Sequence, residues 1–480
     1  MEAQKLAGLE PQEVFACFEK LCAIPHGSRN TKEISDYLAA FAREQGIRCI
    51  QDNLNNVILF GEGTCGLEDH PPVILQGHMD MVCEKDPDCK LDMAAEGLDV
   101  THDDTCVYAR GTSLGGDDGI AVAYAMALLM DKSIPHPPLE VIITVDEEIG
   151  MLGAAQIDLS MLKGRRMINL DSEEEGVFTV SCAGGATAVI SLPASRRAVY
   201  GPCIRLTVEG LRGGHSGTEI HKNRANANKV MGEFLGRIQK MMPLCLTSFS
   251  GGSKDNAIPR SCQVTAVAMG IHLERINEVA EALQAEIRKT YDEPEAVVQA
   301  FDVDALGGNG LSTEDTAKVI ALLCAAPSGV QAYSGDIPGL VQTSLNLGIA
   351  KLGERFNATF SVRSSVNQEK EDLLNKLRDL AQFQGGSYSQ MGEYPAWEYR
   401  KDSQLRDTMV RIYRQMFGKE PEVLAIHAGL ECGLLGQKLP DLDCVSIGPQ
   451  MHDIHTSREK LGIASTERTW RFLLEVLKAL

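Results

Sequence analysis

Between residues 56 and 170 the chain alternates short runs of branched apolar residues with apolar helical segments. Residues 56–60, 73–76, 139–145 and 166–170 read as strands, and the run Leu139-Glu-Val-Ile-Ile-Thr-Val145 is the richest in β-branched side chains. Residues 119–130 (GIAVAYAMALLM) are apolar nearly all round, which marks a buried helix. Residues 151–162 are expected to be helical as well. A strand–helix–strand alternation of this kind implies an α/β fold with a mostly parallel sheet covered by helices. No apolar run approaches the roughly 20 residues needed to span a bilayer. The opening MEAQKLAGLEPQEVFACFEKL has no cationic region followed by an apolar core, so it reads as an amphipathic helix and not as a signal peptide.

The pattern changes after Gly184-Gly185. Strands are expected at 186–192, 203–211, 262–271, 297–301, 340–349 and 356–362, with helices at 225–241, 274–290, 313–325 and 368–383. Runs of strands with long helices on one side suggest an α+β domain. From residue 403 the first pattern returns, as helix 403–417, strand 422–426, helix 430–437 and strand 443–447. The simplest topology is one α/β domain, residues 1–185 and 393–480, interrupted by a large α+β insertion, residues 186–392.

Charge narrows the function. The chain has 46 basic and 66 acidic residues, a net charge of −20. That argues against nucleic acid or an anionic membrane surface as the main partner, and it suits a protein that gathers carboxylates around cations. The 14 cysteines include no Cys-x-x-Cys pair, which removes zinc-ribbon and thioredoxin-like readings. Cys182, Cys203, Cys262, Cys324 and Cys444 lie in apolar runs and read as buried, reduced thiols of a cytosolic protein.

Five stretches place acids and histidines where strands end, the position at which open α/β sheets form their sites. Val73-Ile-Leu-Gln-Gly-His78-Met-Asp80 puts an aspartate two residues beyond a histidine, on the same side of an extended segment. Asp80 can then orient the imidazole toward a metal. Arg110-Gly-Thr-Ser-Leu-Gly-Gly-Asp117-Asp118-Gly119 precedes the buried helix, where paired acids also serve as caps. Its glycines superficially resemble a phosphate loop, but the Gly-Lys-Ser/Thr ending is missing and two carboxylates repel phosphate. Asp146-Glu147-Glu148 follows a buried strand directly, and Asp171 follows Met167-Ile-Asn-Leu. The fifth stretch is Gly448-Pro-Gln-Met-His452-Asp-Ile-His455-Thr-Ser. Each has a plain alternative as a cap, a turn or a solvated loop. Together they bring His, Asp, Glu, Asp and His to one sheet edge, a set of ligands that suits paired zinc or a similar divalent ion.

The motifs GHMDMV, LGGDDGIA, TVDEEIGMLGA, NLDSEEEG, GGHSGTEI, NAIPR and HAGLECG, with the closing His-Thr-Ser, resemble the M20 metallopeptidases, and among them most closely the cytosolic aminoacyl-histidine dipeptidases. The resemblance covers nearly the whole chain in the family's motif order. It implies that 1–185 and 393–480 form a zinc-peptidase catalytic domain and that 186–392 is a lid and dimerisation domain. His78 and Asp171 would hold one ion, Glu148 and His455 the other, and Asp117, followed by a cis peptide, would bridge both. Asp80 would orient His78, and Glu147 would be the general base. Two divalent ions, as Zn2+ with Co2+ or Mn2+ as substitutes, would balance the three ligand carboxylates and a bridging hydroxide. The family's usual His-Ser-Pro ending reads His455-Thr-Ser here, which sets His455 against His452 as the ligand.

The resemblance further implies that His215 stabilises an oxyanion, reaching the site of a partner subunit in a homodimer. Asn256 and Arg363 would hold the substrate's carboxylate end, and Gly429 with Glu431 would line the substrate, Glu431 meeting a free amino group. The implied activity is hydrolysis of unblocked dipeptides, including Xaa-His, in the cytoplasm, by metal-activated water. An aminoacylase or carboxypeptidase of the same family, a non-catalytic relative that binds ligand, or a metal-free acid hydrolase are the competing readings. The intact Glu147 opposes a non-catalytic relative, and an acid hydrolase leaves His78 and His455 without a role. The remaining histidines, His26, His70, His102, His136, His221, His272 and His427, are expected mostly in solvent or in supporting positions, with His427 the one nearest a substrate-lining loop.

Overall fold

In the computed structural model, residues 5–270 and 273–480 are described, so His272 and the end of the strand expected at 262–271 lie outside the described residues. Two compact units emerge. The first comprises the chain up to Ser181, Tyr399–Ala425 and Leu430–Leu480; the second comprises Cys182–Glu398 with Ile426–Gly429.

The first unit is built on an eight-stranded sheet. Its strand order is Arg48–Gln51, Val57–Gly61, Leu139–Thr144, Val73–His78, Arg166–Asn169, Asp443–Ser446, Val177–Cys182 and Glu422–Ile426. The centre is parallel: Val73–His78 pairs in parallel with both Leu139–Thr144 and Arg166–Asn169, and Asp443–Ser446 with Arg166–Asn169. Every residue of Val73–His78, Leu139–Thr144 and Asp443–Ser446 is buried, as expected of parallel strands covered on both faces. Helix Gly116–Met130 is buried throughout except at its last residue, because apolar side chains surround it on every face. Tyr124 on that helix stacks on Trp470 with ring centroids 5.7 Å apart and donates its hydroxyl hydrogen to the Thr466 carbonyl at 2.9 Å. Trp470 belongs to the C-terminal helix Ile463–Ala479.

One expected helix is much shorter than its apolar content suggests. Residues 151–162 form only Leu152–Gln156. Asp158 Oδ1 accepts the Ser160 backbone N–H at 2.9 Å, a local turn that competes with continued helix.

The second unit carries a nine-stranded sheet. The order along its path is Val297–Leu311, Arg196–Glu209, Cys262–Ala268, Leu244–Gly251, Val341–Leu352, Arg355–Ser364, Gly184–Pro193 and Ser387–Tyr394, and Gly329–Tyr333 pairs with Val341–Leu352. Helices Ala227–Gln239, Leu273–Tyr291, Thr313–Ala325 and Asn367–Phe383 contribute to one core that includes Phe234, Leu283, Leu323 and Leu377, with Phe249 edge-on to Phe356 at 5.3 Å. The strand expected at 297–301 runs on to Leu311, across Gly307, Gly308 and Gly310. There it pairs antiparallel with Arg196–Glu209, with register shifts at Val199 and Pro202. Cys182, Cys203, Cys262 and Cys444 are buried as expected; Cys324, on the last turn of its helix, is exposed. Among the described residues no helix is long and apolar enough to cross a membrane.

Candidate metal centre and flanking polar cluster

The sheet of the first unit delivers its chemistry at the carboxyl ends of the parallel strands. His78 is the last residue of its strand and is 1% exposed. Leu139–Thr144 leads through Val145 into Asp146, Glu147 and Glu148, and Arg166–Asn169 leads through Leu170 to Asp171. Asp117 comes from the first turn of Gly116–Met130, and the Asp117–Asp118 peptide is cis. Helix and strand approach closely only because residue 77 is glycine. A Cβ there would lie 2.4 Å from Asp118 Oδ2 and 2.6 Å from the Ala121 Cβ.

These groups meet at short range. His78 Nε2 stands 3.1 Å from Asp117 Oδ1 and 3.5 Å from Asp171 Oδ1. His455 Nε2 stands 3.0 Å from Asp117 Oδ2 and 3.0 Å from Glu148 Oε2. Asp117 thus turns one oxygen to each imidazole. His452 lies instead in a short strand, paired with Lys460, and is exposed. Two overlapping groups have ligand atoms within 4.8 Å of one another: His78 with Asp118 and Asp171, and His78 with Asp117 and Glu148. Asp118 was expected only as the neighbour of a ligand. His78 Nδ1 is held by the Asp80 carbonyl at 2.9 Å, with the Asp80 carboxylate at 3.6 Å. That carboxylate accepts from Ser28 Oγ at 2.8 Å and from the Glu147 backbone N–H at 3.1 Å, which ties the Glu147 turn to the His78 strand.

The electrostatics are those of an acid cluster in want of cations. Burial raises Asp171 to about 6, and Asp117 and Glu148 add to that rise against the pull of His78. Burial likewise lifts Glu147 well above the carboxylate range, with Asp171, Glu431 and Glu148 adding to it and His78 opposing. Hydrogen bonds to Asp117 and Glu148 hold His455 up to about 11. Burial would raise Asp117, but the hydrogen bonds from His455 and His78 win and keep it low. Glu148 Oε1 and Asp118 Oδ1 are buried without a hydrogen-bond partner among the described residues. Imidazole nitrogens, carboxylate oxygens and orphaned oxygens together fit a divalent cation.

Glu431 opens the helix Glu431–Lys438. It is completely buried, and its Oε2 accepts from Gln76 Nε2 at 2.6 Å and from Thr144 Oγ1 at 2.6 Å. Gln76 in turn accepts from Asn169 Nδ2 at 2.5 Å. Its Oε2 is thus engaged by side chains of two central strands, while its Oε1 is buried without a hydrogen-bond partner among the described residues. Burial pushes it up to about 8.

The other expected substrate residues belong to the second unit. His215 pairs with Ala257 in a two-stranded ribbon, and the carbonyl of the exposed Asn256 accepts the Ser216 N–H at 2.9 Å. His215 Nδ1 accepts backbone N–H groups from Gly217 at 3.3 Å and Thr218 at 3.1 Å. Burial and the charge of Arg363 lower its pKa, so the ring is neutral with its proton on Nε2, which is left as a donor. Arg363 Nη1 donates to the Tyr394 hydroxyl at 3.0 Å, while its buried Nε has no partner among the described residues. Gly429 lies against Tyr394, where a Cβ would be 2.6 Å from the ring. His427 is buried at 7% exposure, bonded through Nε2 to Ser344 Oγ at 2.7 Å, and lowered to about 3 by burial and by Arg363. His26 and His136 are buried too, each with Nδ1 on a backbone carbonyl, while His70, His102 and His221 are exposed.

Sequence reasoning passed over Asp118, Tyr394 and Glu459. Asp118 carried the signal of the adjacent Asp117; Tyr394 and Glu459 meet partners far along the chain, which no local pattern reports.

A family model described as peptidase family M20/M25/M40 matches residues 74–479. Over 479 residues, 99% of both chains, this chain is 35% identical to the protein named cytosol non-specific dipeptidase in Escherichia coli strain K12. The crystal structure of aminoacylhistidine dipeptidase from Vibrio alginolyticus aligns with a TM-score of 0.93 at 34% identity, covering 99% of this chain and 98% of that one. An aminopeptidase from Bacillus cereus, 16% identical with a TM-score of 0.55 over 98% of each chain, shares the fold.

Proposed function

The chain belongs to peptidase family M20/M25/M40, and we propose that within it the protein is a dinuclear metal-dependent dipeptidase acting on unblocked dipeptides, Xaa-His among them. The carrying observation is the pair of overlapping ligand groups centred on His78. The similarity, which extends over nearly the whole chain, to proteins named as dipeptidases supports the substrate class and a cytoplasmic location.

In this reading His78, Asp117, Glu148, Asp171 and His455 would hold two divalent ions, zinc by donor chemistry, with Asp117 a ligand common to both groups. Those ions, when bound, lower the pKa of water and polarise the scissile carbonyl. The chain's own residues do the rest. Glu147 is the general base: its carboxylate takes the proton of the attacking water and returns it to the departing amine. His215, neutral with Nε2–H free to donate, suits an oxyanion. Arg363, with its buried Nε unpaired, suits the substrate's terminal carboxylate, with Asn256 and Gly429 beside it in the substrate-binding set. We further read Cys182–Glu398 as the lid and dimerisation part of a homodimer in which His215 serves one of the two sites.

Glu147→Gln is the test. With metal content unchanged, turnover of dipeptides should fall by at least the ~10²–10⁴-fold that a general base contributes. Wild-type enzyme loaded with Zn2+ should cleave Xaa-His and ordinary dipeptides and spare N-acetyl amino acids. Full activity in the E147Q variant, or preference for acylated amino acids, would sink the reading.

A further inference from the structure

Glu459 lies four residues beyond His455 and is 3% exposed. Both of its oxygens are fully engaged by backbone. Oε2 accepts from the N–H of Leu114 at 2.7 Å and of Gly115 at 3.1 Å; Oε1 accepts from Gly116 at 2.8 Å and Asp117 at 3.3 Å. The four donors are consecutive residues spanning the end of the preceding loop and the first turn of helix Gly116–Met130. Gly115 turns that loop with φ of +68°, so the N–H groups converge on one point. Such a nest at a helix start is an anion site, and here the chain fills it with its own carboxylate. A Cβ at residue 116 would come within 3.2 Å of Glu459 Oε1, so the fit leaves little slack.

The loop so clamped ends in Asp117, whose oxygens face His78 Nε2 and His455 Nε2 at 3.1 and 3.0 Å. One short segment, 455–459, therefore supplies an imidazole to one side of Asp117 and a carboxylate clamp to its backbone. We propose that Glu459 is a positioning residue for the cation centre: it fixes the backbone of 114–117 before any ion arrives, so that Asp117 already offers one oxygen to each side. The inference rests on the reading that Asp117 and His455 hold cations. It adds the device that keeps them in register.

A simple helix cap would stabilise the fold and leave cation affinity alone, so affinity is the readout. Glu459→Gln keeps the shape but puts an amide NH2 against two of the N–H donors. In folded E459Q protein, Co2+ affinity followed by the visible spectrum should fall ~10–100-fold, the range typical for partners that orient ligands, with a changed band shape. Folded E459Q protein with wild-type Co2+ affinity and spectrum overturns the proposal alone. Wild-type protein that binds no Co2+ overturns the site reading and the proposal with it. Should E459Q not fold, amide hydrogen exchange on metal-free wild-type protein decides: protection at 114–117 before ion addition is expected, and protection that appears only with Co2+ overturns the clamp.

Discussion

Gly77→Ala sets two effects of known size against each other. Gly77 lies inside strand Val73–His78, where alanine is ordinarily favoured over glycine by about 0.5–1 kcal/mol. The new methyl would meet Asp118 Oδ2 at 2.4 Å and the Ala121 Cβ at 2.6 Å. Neither obstacle can step aside cheaply: Ala121 is fixed to a buried helix and Asp118 is fully buried. Overpacking of this kind costs about 1–3 kcal/mol, so sterics should prevail and leave a net loss of up to about 2.5 kcal/mol. Part of that loss should reach the centre itself, because pushing the helix start away carries Asp117 off His78. Each ~1.4 kcal/mol lost there weakens ion binding tenfold. Urea denaturation of metal-free protein and Co2+ titration of folded protein measure the two parts. Gly436→Ala is the matched control: nothing lies within 4 Å of a Cβ at that helical position, so it should gain about 0.4–1 kcal/mol. A G77A variant as stable as the wild type, with unchanged Co2+ affinity, would refute the close-approach argument.

Two further outcomes are expected. In metal-free protein His455 is held up to about 11 by Asp117 and Glu148, above its unfolded value of about 6.5. Its stabilising contribution is therefore complete below that unfolded value and is lost as pH rises toward the folded one. The melting temperature of the metal-free form should fall between pH 7 and 9, while the Zn2+-loaded form should stay flatter and release protons on loading, as calorimetry in buffers of different ionisation enthalpy would report; parallel slopes for the two forms would contradict this. Tyr394→Phe removes the hydroxyl that accepts from Arg363, so KM for dipeptides should rise several-fold with little change in kcat, and dipeptide amides should be unaffected. An equal effect on both substrates would show that Tyr394 does not act through the carboxylate.

The parallel core was legible because its strands are buried on both faces. Residues 73–76 and 139–145 are mostly apolar and rich in branched side chains, and His78 and Asp146 follow within two residues of their ends. The strand-end rule singled out the stretches that hold His78, Glu148 and Asp171, while their division into ligands and base, and the choice of His455 over His452, came from the family resemblance. Illegible were features set by distant partners. Glu431 looks like a loop acid until Gln76 and Thr144 arrive from other strands. Glu459 looks like one charge among many, since its four N–H donors lie more than 340 residues earlier in the chain. The long ribbon of Val297–Leu311 also escaped detection, because Gly307, Gly308 and Gly310 signal a turn by composition while Arg196–Glu209 provides enough pairing to carry the strand through them.

The sheet order has a consequence for synthesis on the ribosome. Asp443–Ser446, near the end of the chain, lies between Arg166–Asn169 and Val177–Cys182, which emerge some 260 residues earlier. Until it arrives, the nascent first unit has an apolar strand with an open edge and an acid cluster lacking His455. Pairing across such a separation is slow and leaves the edge open to aggregation. A growing chain therefore needs shelter for that edge through most of its translation, and truncation anywhere before residue 443 should give an insoluble product that no added metal ion restores.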